Sequence, residues 1–192
     1  MRVIAGRAGG VPLVSPKNAV RPTMDRVKEA IFSSLGEMII GARVLDLFAG
    51  TGALGIEALS RGAATAIFVD EDRQSIAAIE KNLAKTQLTG RVRQQDVFGF
   101  LKNAAAAAER FEIVFADPPY GKMKSGERFT EKLFANETLP RLLEPDGVFV
   151  LEKRPSEHFA ATPFWSVTRA KTYGATEVLF LSAIRNPQSA IK

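Results

Sequence analysis

A glycine-rich run between an apolar segment and a helical pattern constrains the fold of this chain more than any other feature. Residues 43–48 form a short apolar run, typical of a buried strand, and a helical pattern follows as far as Gly62. Between them, Gly50, Gly52 and Gly55 have the G-x-G-x-x-G spacing. Glycines at a strand-to-helix turn let a ligand approach the backbone and the free N–H groups of the helix start. We therefore expect a nucleotide-containing cofactor to bind here.

The remaining sequence alternates strand-like and helix-like segments. Further strands are predicted at 65–69, 92–95, 113–116 and 147–151, with helices between them that include 97–108 and 129–143. Segments 166–171 and 177–181 are too close together for a helix, so they predict an antiparallel hairpin at one sheet edge. The expected fold is α/β and Rossmann-like, with a mostly parallel, seven-stranded twisted sheet, a C-terminal hairpin and helices on both faces.

Length and composition point to one domain and exclude several kinds of site. With 192 residues the chain can bury one core, so we expect a single domain over 1–186. It would contain a basic arm or hairpin at 1–20 and a helix at 22–36, with a frayed tail at 187–192. The absence of cysteine and the presence of one histidine argue against a metal cluster. The sequence also lacks an apolar stretch of about 20 residues and a signal peptide, so we expect a cytoplasmic location.

Three aspartates at strand ends bear on which cofactor binds. Asp70 ends the second strand, where a carboxylate can accept both ribose hydroxyls, but this geometry serves NAD equally well. Asp46, at the end of the first strand, would repel a pyrophosphate. It resembles the acidic residue that methyltransferases using S-adenosylmethionine have at this place, where it serves the methionine ammonium. Asp96 can accept the adenine amino group, cap the following helix, or do both. The set favours S-adenosylmethionine, and we place Phe48 and Thr51 of the loop in the same site.

The run Asp117-Pro118-Pro119-Tyr120, directly after the fourth strand, is the candidate catalytic site. Proline at 118 drives Asp117 into an extended conformation, and the two prolines fix the path of the chain. The Asp117 carboxylate and the Pro118 carbonyl can then accept both hydrogens of one exocyclic amino group. Tyr120 would stack on the face of the base that carries this group. The run therefore predicts methylation of an amino group on a nucleobase.

The charge distribution favours a nucleic-acid partner. The formal net charge is +5 and the pI is about 9.6, and basic residues are concentrated in 1–28 and directly after the Asp117 run. Neutralising phosphates releases counterions, so such patches suit RNA or DNA, although an ordinary solvated surface would look the same. The candidate RNA-binding residues are Arg2, Arg7, Arg21, Arg26, Lys122 and Lys124.

Motifs along nearly the whole chain resemble the small bacterial 16S rRNA (guanine(966)-N(2))-methyltransferase family. They are 1–6, Arg21-Pro22-Thr23, Asp25-Arg26-Val27 with Phe32, the loop 46–55, Asp117 to Tyr120, and Tyr173-Gly174. The resemblance implies a class I methyltransferase fold and S-adenosylmethionine-dependent methylation of guanine N2. It also implies that Arg21 and Thr23 lie near the donor and the target pocket and that the basic arm contacts RNA. We expect 16S rRNA, in an assembling or assembled small subunit, to be the partner and the enzyme to be a monomer.

Three other functions fit parts of the sequence. A methyltransferase for DNA adenine or protein glutamine would share the donor loop, but the chain has no room for a DNA-reading domain, and the glutamine enzymes usually carry Asn where Asp117 stands. A nicotinamide oxidoreductase would leave Asp46 and the Asp117 run unexplained. A non-catalytic RNA-binding module would explain the basic arm and leave the donor loop without a use.

Overall fold

A seven-stranded, mostly parallel sheet forms the centre of the molecule. The computed structural model describes residues 1–15, 22–119, 128–157 and 162–185, and only the backbone of 22–24. The strand order is β3-β2-β1-β4-β5-β7-β6. The strands are β1 (Arg43–Leu47), β2 (Thr65–Asp70), β3 (Arg91–Gln94), β4 (Phe111–Ala116), β5 (Leu143–Lys153), β6 (Trp165–Tyr173) and β7 (Thr176–Ala183). The predicted fold class is confirmed.

Five helices connect the parallel strands or precede them. They are α1 (Pro22–Leu35), α2 (Ala53–Ser60), α3 (Arg73–Thr86), α4 (Val97–Ala106) and α5 (Phe129–Phe134), with 3-10 turns at Gly36–Ile39 and Leu139–Leu142. Asp72 caps α3 by accepting from Ser75 N at 2.9 Å, and Asp96 caps α4 by accepting from Gly99 N at 2.7 Å. Such caps satisfy orphan N–H groups and fix where each helix begins. No helix among these residues is long and apolar enough to cross a bilayer.

Each face of the sheet carries its own apolar core. On one face α1, α2, α3 and residues of the N-terminal arm pack on Val44, Phe68 and Phe115. On the other face α4 and α5 pack on Leu45, Val114 and neighbouring strand residues. Successive side chains of a strand point to opposite faces, so one short strand such as β1 serves both cores. The central strands are therefore apolar at successive positions of the sequence, which makes the polar residues at their ends easy to recognise.

The antiparallel hairpin is confirmed, and one predicted helix is wrong. β6 and β7 pair antiparallel, and β7 in turn pairs antiparallel with β5. The helix predicted at 129–143 ends at Phe134, because Asn136 Oδ1 accepts from Thr138 N and Leu139 N at 2.9 and 2.8 Å. This local side-chain bonding competes with the helical ladder. β5 then begins at Leu143, four residues before the predicted start at Gly147.

The N-terminal arm is fixed to α2 through a buried glutamate. Glu57 is fully buried and accepts from Ile4 N at 2.7 Å and from Ala5 N at 3.0 Å. Lys28 Nζ, 3.2 Å from the Glu57 carboxylate, and Arg61 Nε, at 2.8 Å, balance its charge. A buried carboxylate is tolerated only when it is paired in this way. The arm is thus held against the helix that starts at the glycine-rich loop.

Candidate active site

Acidic residues from neighbouring parallel strands meet at one edge of the sheet. Leu47 is in register with Val69 on one side and with Ala116 on the other, so Asp70 and Asp117 flank the end of β1. A cavity of about 310 Å³ lies at this edge, where ligands of open α/β sheets bind. It is lined by Phe48, Asp70, Glu71, Asp72, Ser75, Asp117, Pro119 and Phe129. Residues from both predicted motifs therefore line one cavity.

The glycine-rich loop turns from β1 into α2 with left-handed backbone at two of its glycines. Gly50 has φ 55° and Gly52, the N-cap of α2, has φ 75°. These angles favour glycine because other residues are strained there. The turn is closed by Gly52 N, which donates to Ala49 O at 2.7 Å. Gly50 N donates to Asp70 Oδ2 at 2.8 Å, so the loop is tied to the end of β2.

Asp46 lies beneath the loop and fixes the start of α2. Its Oδ2 accepts from Gly55 N at 2.9 Å, and the residue is 2% exposed. Burial raises the pKa of Asp46 to about 8, and the Gly55 N–H works against this rise. A Cβ at Gly55 would lie 2.3 Å from Phe68 Cε1 and 3.1 Å from Asp46 Oδ2. Gly55 is therefore required by close packing of α2 on β2.

Asp70 organises the backbone on the β2 side of the cavity. Besides the Gly50 N–H, it accepts from Asp72 N at 2.9 Å through Oδ1. Each carboxylate oxygen has a second lone pair, so both can accept one more hydrogen bond each. The backbone contacts hold the carboxylate in a fixed orientation at the cavity wall. That arrangement can accept two hydroxyls of a ribose.

Phe48 connects the glycine-rich loop to the starts of α4 and α5 through an aromatic cluster. Its φ is 54°, which costs free energy for a residue with a side chain and persists where surrounding contacts enforce it. The Phe48 ring meets Phe129 edge-on with centroids 5.4 Å apart, and Phe98 at 6.5 Å. Phe48 and Phe129 both line the cavity. The strained residue thus supplies an apolar wall between the loop and the start of α5.

Asp117 lies directly after β4, where the strand reaches the cavity. Its side chain is partly exposed, and Pro118 behind it is buried. Burial raises the pKa of Asp117 to about 6. None of the described residues donates a hydrogen bond to this carboxylate, in contrast to Asp46 and Asp70. It can therefore accept hydrogen bonds from an incoming amino group.

The sequence-predicted site residues differ in where the structure places them. Phe48, Asp70, Asp117 and Pro119 line the cavity. Thr51 and the three glycines form the loop, whereas Asp96 is an exposed helix cap outside the lining. The Thr51 carbonyl accepts from Asn82 Nδ2 at 2.9 Å, which ties the loop to α3. The described range excludes Arg21, Tyr120, Lys122, Lys124 and the side chain of Thr23. Arg2, Arg7 and Arg26 are exposed.

Sequence reasoning missed several residues of this region. Ser75, Glu71 and Asp72 line the cavity because the chain turns sharply after β2, and Phe129 reaches it from the start of α5. Glu152, a third acid beside Asp46 and Asp117, was also missed, although a charged residue ending the run 148–151 was a usable signal. Among the described residues, no group of three acidic or histidine side chains is arranged to hold a metal ion.

The strand order, the glycine loop and the shared cavity define a class I, S-adenosylmethionine-dependent methyltransferase. The family model described as Conserved hypothetical protein 95 matches residues 1–182, and the chain belongs to this family. YlbH of Bacillus subtilis, named as a candidate rRNA methyltransferase, is 41% identical over 93% of this chain and 96% of its own length. Ribosomal RNA small subunit methyltransferase D of Escherichia coli is 42% identical over 62% of this chain and 60% of its own.

Solved structures agree with this assignment. A hypothetical protein of Thermus thermophilus superimposes with a TM-score of 0.79 at 31% identity, over 95% of this chain and 99% of that protein. The 16S rRNA N2 G1207 methyltransferase of T. thermophilus, solved with AdoMet and guanosine, gives a TM-score of 0.66 at 27% identity. That match covers 90% of this chain and 46% of the larger protein.

Proposed function

We propose that this protein transfers a methyl group from S-adenosylmethionine to the exocyclic N2 amino group of a guanine in 16S ribosomal RNA, as in the guanine(966)-type reaction. The observation that carries the proposal is the position of Asp117 in the same cavity as Asp70. An acceptor for an amino group and an acceptor for ribose hydroxyls thus line the same cavity. The names of the relatives and the guanosine bound to one of them support an rRNA guanine as the substrate.

The residues around the cavity suit the methyl donor. The second lone pairs of the Asp70 oxygens can accept the two ribose hydroxyls, and Phe48 and Phe129 offer apolar ring surface. A methionine ammonium bound near Asp46 would oppose the burial that raises the pKa of this carboxyl, and would favour the ionised form that pairs with the ammonium. Asp96 can accept from the adenine amino group while it caps α4, since its other oxygen and lone pairs remain available. A Cβ at Gly50 would meet only the Phe48 carbonyl oxygen, at 3.9 Å, so a ligand could approach the backbone there.

The chemistry assigned to Asp117 is positioning of a weak nucleophile. When bound, S-adenosylmethionine supplies a methyl group that is activated by a positively charged sulfur. The lone pair of a guanine amino group is delocalised into the ring, so the amine attacks poorly by itself. Two acceptors, the Asp117 carboxylate and the Pro118 carbonyl, would hold both hydrogens and favour a pyramidal nitrogen aimed at the methyl carbon. The N–C bond forms as the C–S bond breaks, and the nitrogen then loses one proton to Asp117 or water.

The remaining predicted residues would hold the RNA. Tyr120 would stack on the extruded base, and Arg21 and Thr23 would lie near the donor and target. The exposed Arg2 and Arg7 lie on an arm that Glu57 fixes to α2, so a phosphate bound there would be held at a constant distance from the donor loop. Arg26, Lys122 and Lys124 complete the proposed RNA-binding set. The proposed substrate lies in the small ribosomal subunit, which would place a monomeric enzyme in the cytoplasm.

Transfer of labelled methyl tests the proposal. The protein is incubated with labelled S-adenosylmethionine and, separately, with unmethylated 16S rRNA, small-subunit particles, duplex DNA and a glutamine peptide. The nucleosides are then separated after digestion. We expect N2-methylguanosine from the rRNA, the particles or both. Label in methyladenine or in the peptide would favour the other amino-methyltransferases, and no transfer to any acceptor would refute the proposal.

A further inference from the structure

Glu152 lies beside Asp117 on the neighbouring strand. Ala116 of β4 is in register with Leu151 of β5, so the next residue on each strand, Asp117 and Glu152, comes at the same level of the sheet edge. Phe115 and Val150 are also register partners, and both belong to the core on the face of α1 and α2. Because side chains alternate along a strand, Asp117 and Glu152 point to that same face. Adjacent strands lie about 4.8 Å apart, so the two carboxyl groups can contact one small ring.

The Glu152 carboxyl has unused acceptors. Its side chain is partly exposed at the edge where Asp117 meets the cavity. None of the described residues donates a hydrogen bond to it, whereas Lys153, the next residue, is paired with Glu177. Burying a carboxyl group without a hydrogen-bond donor costs free energy, so such a group binds a partner or becomes protonated. A substrate that brings an N–H group would meet this need.

Guanine differs from the other amino-bearing bases in the atom beside its amino group. In guanine the N2 amino group is next to the N1–H donor. In adenine and cytosine the amino group is next to a ring nitrogen that accepts. An acceptor placed beside the amino-group site therefore pairs with guanine and repels the lone pair of the other two. A site built around such a hydrogen bond rejects analogues that lack the donor.

We propose that Glu152 is a specificity-determining residue that accepts the N1–H of the target guanine while Asp117 holds its N2 amino group. The inference rests on the proposed function. In this assignment Glu152 of β5 selects the base, and Asp117, directly after β4, positions the reacting nitrogen. Glu152 has one more methylene than Asp117, which lets its carboxylate reach past the amino group to the next atom of the ring.

The electrostatics of the edge agree with this assignment. Burial, together with the nearby charges of Asp117 and Asp46, raises the pKa of Glu152 well above its usual value. The shift reflects a carboxylate that is buried among negative neighbours and that has no hydrogen-bond donor among the described residues. An N1–H donor and the positive charge of the methyl donor would both oppose that shift and favour the ionised, accepting form. Ligand binding and the acceptor role of Glu152 thus support each other.

The test removes the N1–H donor from the base and, separately, replaces the accepting side chain of the protein. Small-subunit RNA is prepared with either guanine or 2,6-diaminopurine at the methylated position. The two bases share the 2-amino group, but N1 accepts in diaminopurine. We expect the wild-type protein to prefer guanine in kcat/KM by at least about 100-fold. Glu152→Gln, whose amide can donate to N1, should reduce this preference by at least about 10-fold.

The matched control is Glu144→Gln, at the opposite end of the same strand, where the carboxylate pairs with Arg43 outside the site. It should leave the preference unchanged. Calorimetry with S-adenosylhomocysteine and the melting temperature report whether Glu152→Gln still folds and binds the donor product. Equal losses on both bases, with an unchanged preference, would overturn the assignment of Glu152 alone. Absence of transfer by the wild-type protein to the guanine RNA would instead overturn the proposed function, and the assignment with it.

Discussion

At the sheet edge that carries the cavity, the carboxyl groups on the β1 and β2 side and those on the β4 and β5 side differ in their hydrogen bonding. On the β1 and β2 side, Asp46, Asp70 and Asp72 each accept from backbone N–H groups of the loop or the following helix. On the β4 and β5 side, Asp117 and Glu152 accept nothing from the described residues. All five lie at or near the carboxyl ends of strands in one sheet. The first set fixes the backbone of the loop and of the helix starts, and we propose that the second set binds the base.

This difference follows from what comes after each strand. β1 and β2 lead into helix starts, whose free N–H groups need acceptors, so their aspartates become structural. β4 leads into Pro118 and Pro119, which lack N–H groups and cannot donate. β5 ends beside antiparallel β7, where its backbone is already paired. Unused acceptors are therefore expected on the second side, and we infer that they bind the base.

Removing Asp117 should give the largest effect. Asp117→Ala is expected to lower kcat for methyl transfer by at least about 10³-fold, because the reacting amine loses its ionised acceptor. The affinity for S-adenosylmethionine should change by less than about threefold, or roughly 0.7 kcal/mol. Single-turnover kinetics and calorimetry measure the two quantities. The exposed Asp146→Ala is the control, and turnover of the Asp117 variant within about tenfold of wild type would remove Asp117 from the mechanism.

A methyl group added at Gly55, at the start of α2, should lower the stability of the protein rather than its rate of methyl transfer. In Gly55→Ala the new Cβ would lie 2.3 Å from Phe68 Cε1, so we expect a loss of about 1–3 kcal/mol in the free energy of unfolding. Gly99→Ala in α4 is the matched control, since its nearest atoms lie at 3.4 Å and alanine favours helix. Urea unfolding compares them. Equal stability of the two variants would contradict the packing role of Gly55.

The buried Asp46 should make stability depend on pH. Its pKa is raised from 3.8 to about 8 on folding, so the folded protein binds the proton more tightly. The stabilisation is present at low pH and is lost as the pH rises through this window. Asp46→Asn keeps an acceptor for Gly55 N but does not titrate, so its urea midpoint should fall less between pH 5 and pH 8. Parallel curves for both ligand-free proteins would exclude Asp46 as the cause.

The smallest effect is expected at Asp96, which separates capping from donor binding. Asp96→Ala should cost about 1 kcal/mol of stability because α4 loses its cap. Asp96→Ser restores a capping oxygen and should recover that stability. If Asp96 also accepts from adenine, both variants should bind S-adenosylmethionine a few-fold more weakly. Full donor affinity in both, measured by calorimetry, would leave Asp96 as a cap alone.

Much of the fold could be predicted because its signals are local. The apolar run 43–48, the glycine spacing and the strand-like segments up to Ala116 each reflect burial or turn requirements of adjacent residues. The segment beyond α5 was mispredicted because Leu139 and Leu142 mimic a helical stripe. There the bonds from Thr138 N and Leu139 N to Asn136 decide the outcome, and periodicity does not report them.

The residues of the site could likewise be predicted only in part. Asp70 and Asp117 were predictable, since each directly follows an apolar strand and such ends collect ligands. The role of Asp46 at Gly55 N and the place of Phe129 in the wall depend on how distant segments pack. Glu152 could be noticed as a charged residue after the run 148–151, but its place beside Asp117 and the absence of a donor to it among the described residues appear only in the folded protein. Neither of these two properties can be predicted from the residues that surround Glu152 in the sequence.

A crystal structure with S-adenosylhomocysteine and guanosine tests the central claim most directly. The measured quantity is the distance from guanine N2 to the Asp117 carboxylate, together with that from N1 to Glu152. We predict that both distances lie within about 3.2 Å, with the donor product against Asp70 and the glycine loop. A guanine whose amino group contacts Asp46 or Asp70 instead, with Asp117 and Glu152 still lacking donors, would contradict it.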